Sequence, residues 1–295
     1  FVIISGDIDL SIGFVMGFVC VSTAIIMRDM TAAGYTPFIS MLIGSPVGLF
    51  SGSIPGLVNG FLVARLRVPP FIATLGMWGI ANGLAWRFSE GFPIGFLPLE
   101  VRDFGNAFLA YFSRKDGFSI LVKPELTERS DILSLIKIVP IPILIIFFIL
   151  ILFAFILTRT QFGQHTYAIG DEVNAAIRAG INVPWHLIKI YVISSFLASC
   201  AGVLLVYKLH MGVHTQYTSS YELFAVAAVI IGGASLTGGK GSIWGTALGV
   251  ILIGTLNNGL MMMGLPIFYR YIAIGTILII AVLIDQFFPE LVYKE

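Results

Sequence analysis

Residues 138–157 read IVPIPILIIFFILILFAFIL, twenty positions without a charged or polar side chain. An α-helix needs about 20 apolar residues to cross the hydrocarbon layer of a bilayer, at about 1.5 Å of rise per residue. The run does not alternate between apolar and polar, as a barrel strand with a wet inner face would. No water reaches backbone groups at that depth, so the segment satisfies its own N–H and C=O groups by forming a helix. Further charge-free runs lie at 10–27, 38–64, 68–86, 190–207, 223–239, 241–269 and 271–284. The predicted fold is therefore all-α: a polytopic transmembrane helical bundle of seven or so crossings.

Composition agrees. Of 295 residues, 57% are hydrophobic and 11% are charged, whereas soluble domains carry about 25% charged residues. That leaves too little polar surface to cover a globule in water. The net charge of +1 and the lack of a basic stripe exclude a nucleic-acid partner. Cys20 and Cys200 sit inside apolar runs without metal-ligand spacing and read as inert thiols. No nucleophile, base and orienting group cluster together, so an enzyme has no support. The chain opens on FVIISG, which reads as the end of an apolar segment, and further residues are expected upstream of Phe1. Residues 1–295 are treated as a single transmembrane domain.

Three stretches interrupt the helical pattern: GDIDLSIG at 6–13, VPPF at 68–71 and GGASLTGGKGS at 232–242. Glycine-rich, non-helical backbone at membrane depth persists only where protein buries it or a wet cavity adjoins it. Discontinuous helices are therefore part of the predicted fold, with one break at 232–242. Lys and Arg in short loops mark the cytoplasmic side. Arg65 and Arg67 mark one such loop, and Arg159, Arg178 and Lys189 mark a second, taken as 158–188. Runs 68–86 and 138–157 then lead out and back, leaving 88–137 as an external loop. Arg28 and Lys208 fall outside in this arrangement and oppose it.

Gly44, Gly48, Gly52, Gly56 and Gly60 recur every fourth residue and form one helical stripe. Such stripes let helix backbones approach closely, which suits plain packing or a seam beside a translocation path. Gly241, Gly245 and Gly249 repeat the spacing, and Asn59 and Asn258 each precede a glycine. The two helices run oppositely, which makes an inverted repeat a candidate, with a substrate path between the halves. Asp9, Asn59, Trp78, Asn82 and Asn258 are the candidate residues of that path.

The stretch AIGDEVNAAIRAGINVP at 168–184 reads as a short helix outside the membrane. Asp171 and Glu172 suit its first turn, where the dipole favours acids. Gly180 suits its C-terminal cap, and Pro184 stops it. A helix this short is unstable alone in water, so it docks either on the protein's own helix ends or on a cytoplasmic partner. GGASLTGGKGS invites a phosphate-loop reading but fails it. Gly239 intrudes before Lys240, and Gly241 stands where a hydroxyl must bind magnesium.

Taken together, these blocks resemble the permease family of monosaccharide (ribose- and xylose-type) ABC importers. GDIDLSIG is similar to the family's G-G-I-D-L-S-x-G, with Asp7 in place of the second glycine. PPFIATLG at 69–76 resembles the next block. The segment running from Gly163 through AIGDEVNAAIRAGI, with Asn174, Ala175, Ala176, Gly180 and Ile181, resembles a third. YELFAVAAVIIGGASLTGGKGS and the later NNG at 257–259 complete a match over nearly the whole chain.

The resemblance implies a bacterial inner-membrane subunit that translocates a monosaccharide by alternating access. It implies a homodimer or heterodimer of permeases, a cytoplasmic ABC ATPase that binds ATP and magnesium, and a periplasmic or lipid-anchored sugar-binding protein. No cofactor is expected in this chain. Gly163, Gly170, Asp171, Glu172, Asn174, Ala175, Ala176, Arg178 and Gly180 become the candidate ATPase-coupling residues. Permeases for branched-chain amino acids or nucleosides, and an ion-driven carrier with Asp7 and Asp9 as ligands, stand as alternatives.

Overall fold

The fold was obtained as a computed structural model, which describes residues 1–113, 117–120, 135–214 and 221–287. The helices are α1 (Ile12–Ala32), α2 (Pro37–Ala64), α3 (Pro70–Ser89), α4 (Leu99–Gly105), α5 (Ile141–Arg159), α6 (Gln161–Asp171), α7 (Val173–Arg178), α8 (Val183–Leu209), α9 (Tyr221–Ile231), α10 (Ile243–Met262) and α11 (Ile267–Phe287). Between α4 and α5 lie β1 (Phe108–Ser113), β2 (Gly117–Ile120) and β3 (Ile136–Pro140), an antiparallel sheet in the order β2-β1-β3. Among the described residues, five helices, α1, α2, α5, α8 and α10, are long and apolar enough to cross a membrane. At 20 and 21 residues, α3 and α11 also reach the length of about 20 residues that a crossing needs. The protein is a multi-pass integral membrane protein built as a helical bundle.

The centre of the bundle is α2 wedged between α1 and α8. Every glycine of the four-residue ladder is buried, and a Cβ on any of them would strike a neighbour. At Gly44 it would lie 2.7 Å from Met27 Cγ, and at Gly48 it would overlap Thr23 Oγ1. At Gly56 it would overlap the Tyr191 carbonyl, and at Gly60 it would lie 2.8 Å from Ile188 Cα. Lipid supplies no hydrophobic drive between helices, so contact of this closeness replaces it. Close packing alone accounts for the stripe.

Contacts also fix the two ends of the bundle. The end of α2 and the start of α8 meet near Phe1, Val2, Phe162 and Leu187 in one apolar cluster. That end therefore gathers the Arg65–Arg67 turn, α6, α7 and the N-terminal residues, as the basic loops imply. At the other end, Ile94 and Gly212 exchange backbone hydrogen bonds of 2.7 and 2.8 Å, and His210 Nε2 lies 3.0 Å from the Leu97 carbonyl. The 88–137 segment is thus tied to the far end of α8. It contains a helix and a sheet that the sequence did not announce, and Ile138–Pro140 belongs to β3, so α5 starts at Ile141.

Helix continuity breaks at 232–242, and the break takes the form of a reversal. A Cβ on Gly249 would overlap the Ala228 carbonyl, and one on Gly245 would overlap that of Gly232. Helices α9 and α10 therefore pack antiparallel, with glycines at their crossing. At 11 residues, α9 is about 16 Å long, roughly half the hydrocarbon thickness.

Candidate functional site

The candidate site begins in the GDIDLS segment, which stays non-helical until α1 starts at Ile12. Asp9 is buried, and three donors converge on its carboxylate. Ser11 contributes its backbone N–H at 3.0 Å and its hydroxyl at 2.6 Å, and Ser194 of α8 donates at 2.8 Å. Asn59, fully buried on α2, donates through Nδ2 to Ser11 Oγ at 3.1 Å. Tyr191, one turn before Ser194, donates to Asp7 Oδ2 at 3.2 Å. Buried polar groups in an apolar medium are stable only when bonded. The two aspartates and Asn59 therefore hold the N-terminal segment against α2 and α8. Among the described residues, neither aspartate is paired with a basic side chain.

Asp9 and Ser194 also face a cavity of about 280 Å³. Its other walls come from the N-terminal residues, α5, α8, α9 and α10, and Ser242 and Thr246 at the start of α10 add hydroxyls. Ser242 caps α10 by accepting from the Gly245 N–H at 2.9 Å. The surface is largely apolar with a few convergent hydroxyls, the character expected of a small-molecule pocket. Ser194, Ser242 and Thr246 escaped the sequence reading because isolated hydroxyls inside apolar runs give no motif.

The structure brings together part of the predicted path. Asp9 and Asn59 meet through Ser11. Trp78 packs against Phe14 of α1 with ring centroids 4.4 Å apart and planes tilted by 56°, and Asn82 is half-buried on α3. Asn258 lies on the exposed side of α10, outside the cluster around Asp9. Its neighbour Asn257 accepts from Arg270 Nη1 of α11 at 3.3 Å.

The predicted coupling residues fall on α6 and α7. Thr160 caps α6 and accepts from the Gly163 N–H at 3.4 Å. A Cβ at Gly163 would overlap the Leu157 carbonyl, so the tight α5–α6 corner requires glycine. Asp171 is the last residue of α6 and does not open the next helix. Glu172 is extended and accepts from the Asn174 N–H at 3.0 Å, which makes it the N-cap of α7. Gly180, at φ +85°, donates to the Ile177 carbonyl while Ile181 donates to that of Ala176, closing α7 with a Schellman turn. Pro184 stands in the first turn of α8, where Asn182 is the cap. Ala176 packs with Ile169 and Val183, while Glu172, Val173, Asn174, Ala175, Ile177 and Arg178 are exposed.

The third group at this end is the 232–242 turn. Gly239 donates to the Ile4 carbonyl at 2.8 Å. Tyr167 of α6 donates from its hydroxyl to the Gly241 carbonyl at 2.6 Å. A Cβ on Gly170 would overlap the Ile4 carbonyl, and one on Gly238 would lie 2.7 Å from the Gly170 carbonyl. Three segments far apart in sequence thus touch through main-chain atoms.

A buried polar cluster, a hairpin of one half-length and one full-length helix, and a capped helix projecting from one end define a polytopic membrane translocation protein. The chain belongs to the family described as "Branched-chain amino acid transport system / permease component", which it matches over residues 1–282; it is a transport subunit, not an enzyme. It is 35% identical to the ribose import permease protein of Bacillus subtilis (strain 168), over 97% of this chain and 78% of that protein. It is 32% identical to the fructose import permease protein of Rhizobium meliloti, over 97% of this chain and 72% of that protein. The D-allose transport system permease protein of Escherichia coli (strain K12) is also 32% identical, with 97% and 77% covered. No solved structure matches the chain.

Proposed function

We propose that this chain is the translocation subunit of an ATP-driven importer of a monosaccharide, embedded in a bacterial inner membrane. The carrying observation is the exposed face of α7. Two apolar side chains, Val173 and Ile177, are 44% and 55% exposed on a six-residue helix that only its caps and Ala176 hold in place. A helix that short has no independent stability in water, and its apolar face suits a cleft in a cytoplasmic ATPase. The names of the sugar-permease relatives support the substrate class.

In this reading the partner ATPase binds ATP and magnesium, a sugar-binding protein delivers cargo at the end that holds the sheet, and a second permease copy completes the path. Uncharged hydroxyl groups bind a sugar weakly enough to release it. Ser194, Ser242 and Thr246 provide such groups in the cavity beside Asp9.

The test is uptake by the complex assembled from permease, ATPase and binding protein in vesicles. ATP-dependent sugar uptake is expected, together with disulfide capture of the ATPase by cysteines at Asn174 or Arg178. Saturable leucine uptake without sugar uptake would overturn the substrate class. Uptake that persists without the ATPase and collapses with an ionophore would overturn the energy source.

A further inference from the structure

The contact of α6 with the 232–242 turn joins two parts of the molecule to which the proposed function gives different tasks. One is the α6–α7 corner, which that reading presents to the ATPase. The other is the cavity, whose wall includes Ala234 from the turn, Ser242 and Thr246 from the start of α10, and Ile4 and Asp9 from the N-terminal segment. Gly239 is bonded to Ile4, so the turn and the N-terminal segment move together. Gly170 lies against both. Across this joint the Tyr167 hydroxyl, 74 residues from Gly241 in sequence, is the side chain of α6 that bonds the turn. Burial pushes the Tyr167 hydroxyl above the ordinary tyrosine range, so it remains a donor at physiological pH.

The geometry points to Tyr167 as the positioning residue that passes displacement of α7 to the cavity wall. Resting on the importer reading above, the inference works as follows. A partner that moves α7 moves α6 with it, because only the Glu172 cap separates the two helices. Helix α6 is unbroken over its 11 residues, and Tyr167 holds the Gly241 carbonyl at the step just before the α10 cap. Pulling that carbonyl shifts Ser242 and the first turn of α10, and through Gly239 and Ile4 it shifts the segment that carries Asp9. Three walls of the cavity then respond to one input. Gly170 keeps the joint tight, since a methyl group there would force the backbones apart.

The experiment uses the complete complex in vesicles and compares wild type with Tyr167→Phe. This variant keeps the ring and removes one hydrogen bond. The readouts are ribose uptake, ATP hydrolysis and their ratio, with ribose as the probe sugar. A lost hydrogen bond predicts a roughly two- to tenfold lower ratio of uptake to ATP hydrolysed, with ATPase capture through Asn174 cysteine unchanged. A merely structural role would lower abundance and both activities together, leaving the ratio where it was. Gly170→Ala, which opens the same joint from the backbone side, is expected to lower the ratio further. Wild-type ratios in both variants, in a complex that couples uptake to ATP, would overturn the inference while leaving the importer reading intact. A wild-type complex that neither imports ribose nor any other monosaccharide nor couples to ATP would remove the reading and the inference together.

Discussion

Single residues decide most where they are missing a side chain. Gly56 faces Ser195 and the Tyr191 carbonyl so closely that a methyl group would lie 2.7 Å from Ser195 Cβ. Overpacking a tight interior costs about 1–3 kcal/mol, and Gly56→Ala is predicted to lower the melting temperature of the detergent-solubilised protein. Gly79 of α3 has no heavy atom within 4 Å of its built Cβ, and alanine favours helix over glycine by about 1 kcal/mol. Gly79→Ala should therefore melt at or above the wild-type temperature; equal losses in both variants would contradict a role specific to the α2 seam. The glycine ladder was legible because a four-residue period fixes one face of a helix whatever surrounds it. The partners of Asp9 were not legible, because Ser194 is one of several serines in an apolar run and only the fold brings it within 2.8 Å.

Among the elements, α7 shows most clearly where local reading succeeded and where it failed. Its C-terminal signal was clear, since Gly180 provides the positive φ that the turn requires. Its start differs from the expectation that Asp171 and Glu172 share its first turn. The Glu172 N–H donates to the Ala168 carbonyl, which extends α6 to Asp171 and leaves Glu172 as the cap of a helix that begins at Val173. Gly180→Val would place a β-branched residue at φ +85° and loosen α7 by about 1–3 kcal/mol. ATPase capture through Arg178 cysteine should fall while sugar-binding-protein docking at the other end is unchanged; undiminished capture would show that the turn does not hold α7 in place. The reversal at 232–242 escaped sequence reading because both flanks are charge-free and a run of glycines carries no direction. The sheet after α4 escaped because its pairing joins Phe108 to Pro140, a contact set by tertiary structure.

For the whole molecule, the loops divide between two ends, and that division can be tested directly. A cysteine at Phe96, which is 98% exposed, should react with a membrane-impermeant thiol reagent in intact spheroplasts. A cysteine at Ile177 should react only in inverted vesicles. Cys20 is buried and Cys200 half-buried, so background labelling is low. Labelling of both positions from the same side would break this two-ended arrangement. That the chain crosses the membrane several times was readable because apolar length is a physical requirement of the bilayer. Which helices touch inside the bundle was not, because apolar runs look alike until glycine spacing and rare hydroxyls distinguish them.

The meeting of Ile4, Gly170 and Gly238–Gly241 is made almost wholly of main-chain atoms, and this bears on how such a permease changes its cargo. Main-chain contacts carry no preference for one cargo over another, because they hold no side chain to be shaped by it. The walls above them, at Ser194 and Thr246, can be rewritten for a new solute without disturbing the linkage beneath. One drive train can thus serve many cargoes, and swapping wall residues between relatives should redirect what is carried while the tie to the motor stays the same.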